Sequence, residues 1–303
     1  MSIKSNLISF RKEVNAFIKN VLYQEARNNS YKLTDDNKVF HEYMQKRGID
    51  KDRYRGLVGY LPVGSMGVLI NRYFSVSDSL VACQFLSKSR FLNVCGGPRL
   101  NVQGINTLIG ELRYASYIEN KVLFFPTCGF SPGVISGVQA RSIRDTDKPK
   151  SFNILDKNKN LLHYCIETNI GFDADLRETI VILVEGPFDC LALRSAIIDV
   201  VTKHNTGTQK IFPVCTFSAN VSEWQIHQII ELNPDKIFIL YDSDKAGREG
   251  FLRVLKLFDL YGLKNRLCHT EPIIYPRDCK DFCELYAKDR EAAGCFLREK
   301  ILK

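Results

Sequence analysis

The sequence lacks the long apolar run of a membrane protein. None of its hydrophobic stretches approaches the roughly 20 residues that span a bilayer. The N-terminal segment MSIKSNLISFRKEVNAFIKN alternates charged and apolar residues at helical spacing and has no signal-peptide core. With 303 residues, the chain has room for about two globular domains. We therefore expect a soluble, cytoplasmic protein with no membrane partner.

Paired metal-binding cysteines are also missing. The 10 cysteines are scattered and mostly lie in apolar runs such as LVACQF and FPVCTF, where a free thiol behaves as a small hydrophobic group. The closest pair, Cys279 and Cys283, has no second pair at zinc-ribbon spacing. We expect reduced core thiols and no zinc. No G-x-x-x-x-G-K-[ST] phosphate loop occurs, which excludes a helicase motor of that type.

Positive charge is distributed unevenly between the two halves of the chain. Residues 1–170 carry 24 Lys and Arg against 14 Asp and Glu, whereas residues 171–303 carry 18 against 20. The net charge of +8 therefore comes from the first half. A basic half is often only a solubilising surface. Joined to an acid-rich half, it is typical of an enzyme that acts on nucleic acid.

Short apolar strands alternate with helices from residue 179 onward. TIVILV, KIFPVCTF, KIFIL and NRLCHT predict strands, and the segments between them predict helices. This alternation indicates an α/β domain with a mainly parallel sheet covered on both faces, which we place at residues 173–303 with a short C-terminal helix.

An α+β lobe is predicted upstream, over residues 1–172. Residues 5–27 predict an amphipathic helix, followed by a loop at the Asn-Asn-Ser stretch. KVLFFP and GVISGVQARSI predict two strands, and the polar segment RDTDKPKSFNILDKNKN predicts a loop.

Acidic residues follow the predicted strands of the second domain. Glu185 follows TIVILV, Asp189 opens the next helix, Asp242 and Asp244 follow KIFIL, and Asp281 precedes a final helix. Because ligands bind at the carboxyl ends of parallel strands, we expect these carboxylates to converge there. They would repel one another unless Mg²⁺ or Mn²⁺ joined them, and all-oxygen ligation is what Mg²⁺ prefers. Such a cluster serves phosphoryl transfer.

Helix capping is the simpler interpretation of three of these acids. Asp189, Asp244 and Asp281 each stand near a helix start, where a carboxylate accepts backbone hydrogen bonds. Lys245 and Arg248 do not fit that simple picture, because cations in the first turn oppose the helix dipole. Their position in YDSDKAGREG indicates an anionic ligand nearby.

The acidic motifs resemble a known family. Glu-Gly-x-x-Asp after a strand, then Asp-x-Asp followed by Lys-Ala-Gly-Arg, is similar to the Toprim domain, and most like that of bacterial DnaG-type primases. YPRDCKDFCELY is similar to a later Pro-x-x-Lys-Asp-Pro-Asp element, with Phe282 and Cys283 in place of its Pro and second Asp. The resemblance implies that divalent metals are bound by Glu185, Asp189, Asp242, Asp244 and Asp281. Of these, Glu185, Asp242 and Asp244 are the implied catalytic ligands.

The resemblance continues into the basic lobe and covers residues 40–62 and 121–290. VLFFPTCGFSPGVISGVQARSI resembles a strand pair ending in Gly-Phe-Gly-Gly-Arg, with Arg141 at the arginine, and KPKSFNI resembles Pro-Lys-Tyr-Leu-Asn-Ser. The resemblance implies that Arg141, Lys150, Asn153 and Lys159 hold nucleotide phosphates or template. Ser151 stands in place of the tyrosine. On the residues alone, the lysines fit a solvated loop.

The resemblance implies a DNA primase that makes short RNA primers on single-stranded DNA from NTPs, with Lys245 and Arg248 meeting phosphate. The chain shows neither the zinc ribbon nor the helicase-binding tail of bacterial primases. We therefore expect a bacteriophage or mobile-element enzyme in a bacterial host cytoplasm, with a helicase or polymerase supplied separately. Two alternatives stay open: a Toprim nuclease that cuts DNA or RNA, and a non-catalytic accessory that binds single-stranded DNA.

Overall fold

A computed structural model gives the fold of the chain. It describes residues 21–32, 34–65, 68–69, 118–127, 130, 135, 137–144, 146–147, 150–154, 160–168, 177–204 and 208–302. The α-helices of this part are α1 Tyr23–Tyr31, α2 Lys38–Lys46, α3 Lys51–Tyr54, α4 Pro187–His204, α5 Glu223–Glu231, α6 Lys245–Leu260, α7 Phe282–Lys288 and α8 Arg290–Lys300. The strands are β1 Val58–Tyr60, β2 Lys121–Phe124, β3 Val138–Ser142, β4 Ser151–Ile154, β5 Leu162–His163, β6 Ile166–Glu167, β7 Glu178–Val184, β8 Gln209–Cys215 and β9 Lys236–Ile239.

The chain divides into two compact units. The first consists of Met1–Tyr43, Arg55–Pro126 and Ile135–Asp156, and the second of Met44–Tyr54, Thr127–Val134 and Lys157–Lys303. A boundary between residues 172 and 173 stays a prediction of the sequence. Among the helices of the described residues, none is long and apolar enough to cross a membrane.

In the first unit, four strands form an antiparallel sheet in the order β1-β2-β3-β4. Helix α1 packs on β1 at a glycine: a Cβ on Gly59 would stand 2.6 Å from the Cβ of Ala26. Only a residue without a side chain allows this approach. The core of the unit includes Leu22, Leu123 and Val138, all buried.

In the second unit, the sheet is mixed, with strand order β5-β8-β7-β9 and β6 also pairing with β8. The central strands β7, β8 and β9 are parallel, and the short edge strands β5 and β6 are antiparallel to β8. Alternate residues of β7 point to opposite faces. Val181 and Leu183 join the core formed with α5 and α6, which includes Ile226, Phe251 and Phe258. The predicted α/β class is confirmed.

Helix α4 has almost no polar face because it is buried along most of its length. It packs against α7, α8 and the strands of the second sheet. Helix α5 is fixed at its start by a capping box, in which Ser222 accepts from the Gln225 backbone and Gln225 accepts from the Ser222 backbone. The seven cysteines of the described part are all free thiols, and four are buried: Cys190, Cys215, Cys279 and Cys283.

Three local predictions differ from the structure. The Asn-Asn-Ser stretch lies in α1, where Ser30 Oγ donates to the Arg27 carbonyl at 2.7 Å. The segment Ser151–Ile154, predicted as a loop, is strand β4, which pairs with β3; its sequence SFNI alternates polar and apolar residues inside a largely polar segment. NRLCHT is not a regular strand. It begins in the 3-10 helix Lys264–Arg266 and makes only one parallel bridge, from Leu267 to β9. Residues 5–20 of the predicted first helix lie outside the described part.

At the outer edge of β9, a histidine side chain accepts a hydrogen bond from the strand backbone, as the carbonyl of a neighbouring strand would. His269 Nε2 accepts from the Ile239 backbone N–H at 3.0 Å, and His269 Nδ1 lies 2.8 Å from the Glu271 carbonyl oxygen. The carbonyl can only accept, so Nδ1 carries the proton and the neutral tautomer is fixed. The ring stacks with Phe238 and Phe251.

We expect part of the stability of the protein to depend on His269 remaining neutral. Burial lowers the pKa of His269. The unfolded chain therefore takes up this proton at a higher pH than the folded chain does. The contribution of His269 is complete above the unfolded pKa of about 6.5 and is lost as the pH falls through the folded value. His269→Phe should lower the free energy of unfolding by about 1–3 kcal/mol at neutral pH, because the Ile239 N–H loses its acceptor.

Urea unfolding near pH 7.5 and pH 5.5 measures this effect. The difference in the free energy of unfolding between the wild type and His269→Phe should be smaller at pH 5.5 than at pH 7.5. His227, an exposed histidine that meets Tyr261 edge-on, is the control, and His227→Phe should follow the wild-type pH dependence. An equal difference in the free energy of unfolding at both pH values would contradict the proposed role of the neutral ring.

Candidate functional site

Two of the predicted acids meet at the carboxyl edge of the second sheet. Glu185 follows β7 directly, and Asp242 follows β9, which pairs with β7 in parallel. The Asp242 backbone N–H donates to Glu185 Oε1 at 3.2 Å. The chain turn after β9 and the Glu185 side chain therefore hold each other in place. This edge, with Glu185, Asp189, Asp242, Asp244 and Asp281, is called the acidic cluster below.

Two glycines of the motifs make room for these acids. A Cβ on Gly247, in the first turn of α6, would stand 2.1 Å from the Asp242 carbonyl oxygen and 2.8 Å from Glu185 Oε1. A Cβ on Gly186 would stand 2.6 Å from Asp189 Oδ2. Contacts this short are excluded by van der Waals repulsion. The glycines in Glu-Gly-x-x-Asp and Lys-Ala-Gly-Arg are thus explained by the close approach of carboxylate and backbone.

Asp244 serves the helix and the cluster at the same time. It is the N-cap of α6, and its Oδ1 accepts from the Gly247 backbone N–H at 2.9 Å. Its Oδ2 lies 3.2 Å from Lys280 Nζ, which also lies 2.7 Å from Asp242 Oδ2. A lysine ammonium therefore bridges the two aspartates of the Asp-x-Asp motif.

Asp189 and Asp281 lie on the α4 and α7 side of the cluster. Asp281 is the N-cap of α7, with Oδ1 accepting from the Glu284 backbone N–H at 2.7 Å. Asp189 lies within the first turn of α4, not at its cap, and is buried. Its Oδ1 accepts from the Cys283 backbone N–H at 3.1 Å. Capping thus accounts for part of what Asp244 and Asp281 do, but it does not account for Asp189.

The electrostatics of the acidic cluster are those of crowded, desolvated carboxylates. Burial and then the charge of Asp242 raise the pKa of Glu185 to about 7. Burial also raises the pKa of Asp242, against the opposing effect of Lys280. For Asp189, burial and then the charge of Asp281 raise the pKa well above its usual range. The backbone hydrogen bond from Gly247 lowers the pKa of Asp244, which stays ionised.

Lys280 is a site residue that the sequence analysis missed. Its hydrogen bond to Asp242 is the main reason that the pKa of Lys280 is raised, so the ammonium is firmly held as a cation. The Ser243 backbone N–H donates to the Lys280 carbonyl at 2.7 Å, which ties the lysine segment to the Asp-x-Asp turn. A signal was present, because Lys280 stands at the lysine of the Lys-Asp element in CKDF.

The donor set of the acidic cluster fits a hard divalent cation by its chemistry. All five side chains offer carboxylate oxygens, and the burial and mutual repulsion that raise the pKa values of Glu185, Asp189 and Asp242 are what a cation would offset. Within the described residues, no group of three His, Cys, Asp or Glu side chains is arranged closely enough to hold a metal. In the structure, the positive charge between Asp242 and Asp244 is the ammonium of Lys280.

The two basic residues at the start of α6 have different surroundings. Lys245 is 88% exposed at its side chain and lies 3.9 Å from Glu249, a distance that gives little attraction in water. Arg248 donates to the Ser243 carbonyl, within the Asp-x-Asp turn. Arg248 therefore helps to hold the turn, and Lys245 projects into solvent.

The remaining predicted residues belong to the first unit or lie outside the described part. Arg141 is on β3 opposite Ser151 of β4, and Asn153 is on β4. Lys150 is exposed just before β4, and its carbonyl accepts from the Ser142 backbone N–H at 2.9 Å. Lys159 is outside the described residues. Arg141, Lys150 and Asn153 therefore share the β3–β4 region of one sheet.

Comparison with known proteins agrees with the fold and the motifs. Residues 182–286 match the family described as Toprim-like. The catalytic domain of DnaG primase bound to single-stranded DNA is similar with a TM-score of 0.54 and 15% identity, covering 98% of this chain and 79% of that one. The DnaG catalytic core has a TM-score of 0.54 and 16% identity, with 97% and 79% covered. The Escherichia coli primase catalytic core has a TM-score of 0.53 and 17% identity, with 92% and 80% covered. No curated protein matched the chain.

The second unit thus contains a segment, residues 182–286, that matches the Toprim-like family, and the five carboxylates of the acidic cluster lie within this segment. The chain as a whole has the fold of the DnaG primase catalytic core.

Proposed function

We propose that this protein is a DNA primase, which synthesises short RNA primers on single-stranded DNA by divalent-metal-dependent nucleotidyl transfer. The observation that carries the proposal is the acidic cluster, where Glu185, Asp242 and Asp244 lie at the carboxyl edge of a Toprim-like sheet with Lys280 between the two aspartates. The reaction joins the 3′-hydroxyl of one ribonucleotide to the α-phosphate of the next and releases pyrophosphate.

Glu185, Asp242 and Asp244 are the proposed metal ligands, with Asp189 and Asp281 in supporting roles. Mg²⁺ or Mn²⁺ bound there would neutralise the triphosphate and align the reacting oxygens. The chain prepares the ligands in two ways. The Asp242 N–H fixes the Glu185 carboxylate, and the Gly247 N–H fixes that of Asp244. Both carboxylates are therefore oriented before any ligand binds, which reduces the reorganisation required for catalysis.

Cations beside the acidic cluster are proposed to bind phosphate. Lys280 already lies within hydrogen-bonding distance of Asp242 and Asp244, and an arriving triphosphate would share that ammonium. Lys245, exposed at the start of α6, would meet phosphate together with the positive end of the helix dipole. Arg248 supports the same turn through the Ser243 carbonyl.

The β3–β4 region of the first unit is proposed to hold template or nucleotide phosphates. Arg141, Lys150 and Asn153 provide cationic and amide groups for this role, within the half of the chain that carries the excess positive charge, and Lys159 of the same half is proposed to bind the same ligands. Binding of single-stranded DNA should then weaken steeply as salt is raised, because each phosphate contact releases counterions. We also propose a bacteriophage or mobile-element origin, action in the bacterial cytoplasm, and cooperation with a separate helicase or polymerase.

A primer-synthesis assay tests the proposed function. The protein is incubated with single-stranded DNA, labelled NTPs and Mg²⁺ or Mn²⁺, and the products are separated on a denaturing gel. We expect short labelled RNA that depends on both template and metal. Shortened template without new RNA would instead identify a Toprim nuclease. Bound but unchanged DNA would identify a non-catalytic accessory protein, and either result would overturn the primase assignment.

A further inference from the structure

A buried tyrosine hydroxyl without a partner lies beside the acidic cluster. Tyr275 is 3% exposed, and within the described residues its hydroxyl makes no hydrogen bond. The residue comes directly before the 3-10 helix Pro276–Asp278, which leads to Lys280 and Asp281. Its ring packs on Phe296 of α8 with centroids 5.8 Å apart, so the side chain is held in position.

Negative charges of the acidic cluster act on this hydroxyl. After burial, the carboxylates of Asp189, Asp242, Asp281 and Glu185, in that order, raise the pKa of Tyr275 well above its usual range. The phenol therefore stays protonated at neutral pH. A protonated hydroxyl can donate a hydrogen bond, and the carboxylates of the acidic cluster can accept one.

An unpaired buried hydroxyl is unfavourable, and phenylalanine would have nearly the same shape without that penalty. A second hydroxyl of the cluster is in the same condition. Ser243 Oγ, between Asp242 and Asp244, is buried and also lacks a hydrogen bond among the described residues. Two unsatisfied hydroxyls on one acidic cluster indicate an arrangement completed by something that binds there.

We propose that Tyr275 is a positioning residue, whose hydroxyl donates to a carboxylate of the acidic cluster when a divalent cation binds. Asp189 is the first acceptor, because it is buried and its Oδ1 accepts from the Cys283 N–H of α7, where Phe282 packs on Phe296 as Tyr275 does. The cation draws the carboxylates together, and the Tyr275 hydroxyl fixes the orientation of the one that it bonds. This inference rests on the proposed function in its assignment of the carboxylates to a metal.

The comparison of Tyr275→Phe with Tyr286→Phe tests this role. Tyr286 is also buried, but its hydroxyl donates to Asp199 Oδ2 at 2.8 Å, away from the acidic cluster. In the absence of metal, Tyr275→Phe should melt at the wild-type temperature or above it, since it removes an unsatisfied group. Tyr286→Phe should melt lower. In Mn²⁺ titrations followed by calorimetry, Tyr275→Phe should bind about 10- to 100-fold more weakly, and Tyr286→Phe should match the wild type.

Several outcomes would overturn the inference. Wild-type Mn²⁺ affinity in Tyr275→Phe would show that the hydroxyl does not support the ligands. A lower melting temperature of metal-free Tyr275→Phe, comparable with that of Tyr286→Phe, would show that the hydroxyl is already bonded in the free protein. Failure of the wild type to bind Mn²⁺ would remove both this inference and the metal chemistry of the proposed function. Metal binding without primer synthesis would overturn the primase assignment alone and would leave the role of Tyr275 supported.

Discussion

Replacing Asp242 and Asp244 together with Asn is expected to reduce primer synthesis at least about a thousandfold, equivalent to about 4 kcal/mol of transition-state stabilisation. Asn keeps the shape of each side chain and removes its charge. At position 244 it also keeps an oxygen that can accept from the Gly247 N–H, so α6 remains capped. Lys280 loses both of its carboxylate partners. The variant therefore loses its ability to attract a divalent cation without losing the fold.

Asp289→Asn is the matched control for this double variant. Asp289 is also a helix N-cap, and its Oδ1 accepts from the Ala292 N–H at 2.9 Å at the start of α8. It has the same capping chemistry as Asp244, but it does not contact Lys280 in the structure. We expect Asp289→Asn to retain primer synthesis. Single-stranded DNA binding, measured by fluorescence anisotropy, should be retained in both variants. Normal synthesis by the Asp242 and Asp244 variant would exclude these residues from the chemistry.

The carboxylates could be predicted from sequence because their positions follow from topology. A strand–helix alternation of the kind seen after residue 179 produces a parallel sheet, and residues that follow parallel strands collect at one edge. Glu185 and Asp242 meet there because β7 and β9 are neighbours. The convergence thus needs parallel strands that are neighbours: the hydrophobic pattern indicates the parallel direction, and the structure supplies the pairing of β7 with β9.

Lys280 could not be assigned in the same way, because its role depends on where a chain segment without regular structure returns. Nothing local in PRDCKDF indicates that the Lys280 side chain reaches Asp242 while the Asp281 carboxylate caps α7. Strand β4 is a similar case, because the short run SFNI does not stand out within a long polar segment and its order depends on pairing with β3. A sequence pattern indicates local structural preference, and contacts between segments that are distant in the chain can override that preference.

The association of Met44–Tyr54 with the second unit was also outside the reach of sequence patterns. Arg290 donates to Asp50 Oδ2 and to the Gly48 carbonyl, each at 2.7 Å, across about 240 residues of chain. Arg53 forms an ion pair with Asp199, which also accepts from Tyr286. Charged residues on an exposed helix face give no indication of which partner they will meet. The second unit therefore contains the segment Met44–Tyr54, which the sequence predicts to be part of the basic lobe.

Replacing Gly247 with Ala is expected to have the largest effect of any single methyl group added to the site. The new Cβ would stand 2.1 Å from the Asp242 carbonyl oxygen and 2.8 Å from Glu185 Oε1, so the turn after β9 must move. That movement breaks the hydrogen bond from the Asp242 N–H to Glu185. We expect a loss of about 1–3 kcal/mol in the free energy of unfolding and at least about a hundredfold loss of primer synthesis.

Gly294→Ala makes the same chemical change in a helix without the collision. On α8, its Cβ would approach nothing closer than Val200 Cγ2 of α4 at 3.5 Å, an ordinary van der Waals contact. Alanine favours a helix over glycine by about 1 kcal/mol, so this variant should unfold at a higher denaturant concentration and keep its activity. If the free energy of unfolding falls in Gly247→Ala and rises in Gly294→Ala, the effect at position 247 comes from steric exclusion beside the acidic cluster. If Gly247→Ala were as stable and active as the wild type, the contact between the Asp242 turn and Glu185 could not be what arranges the ligands.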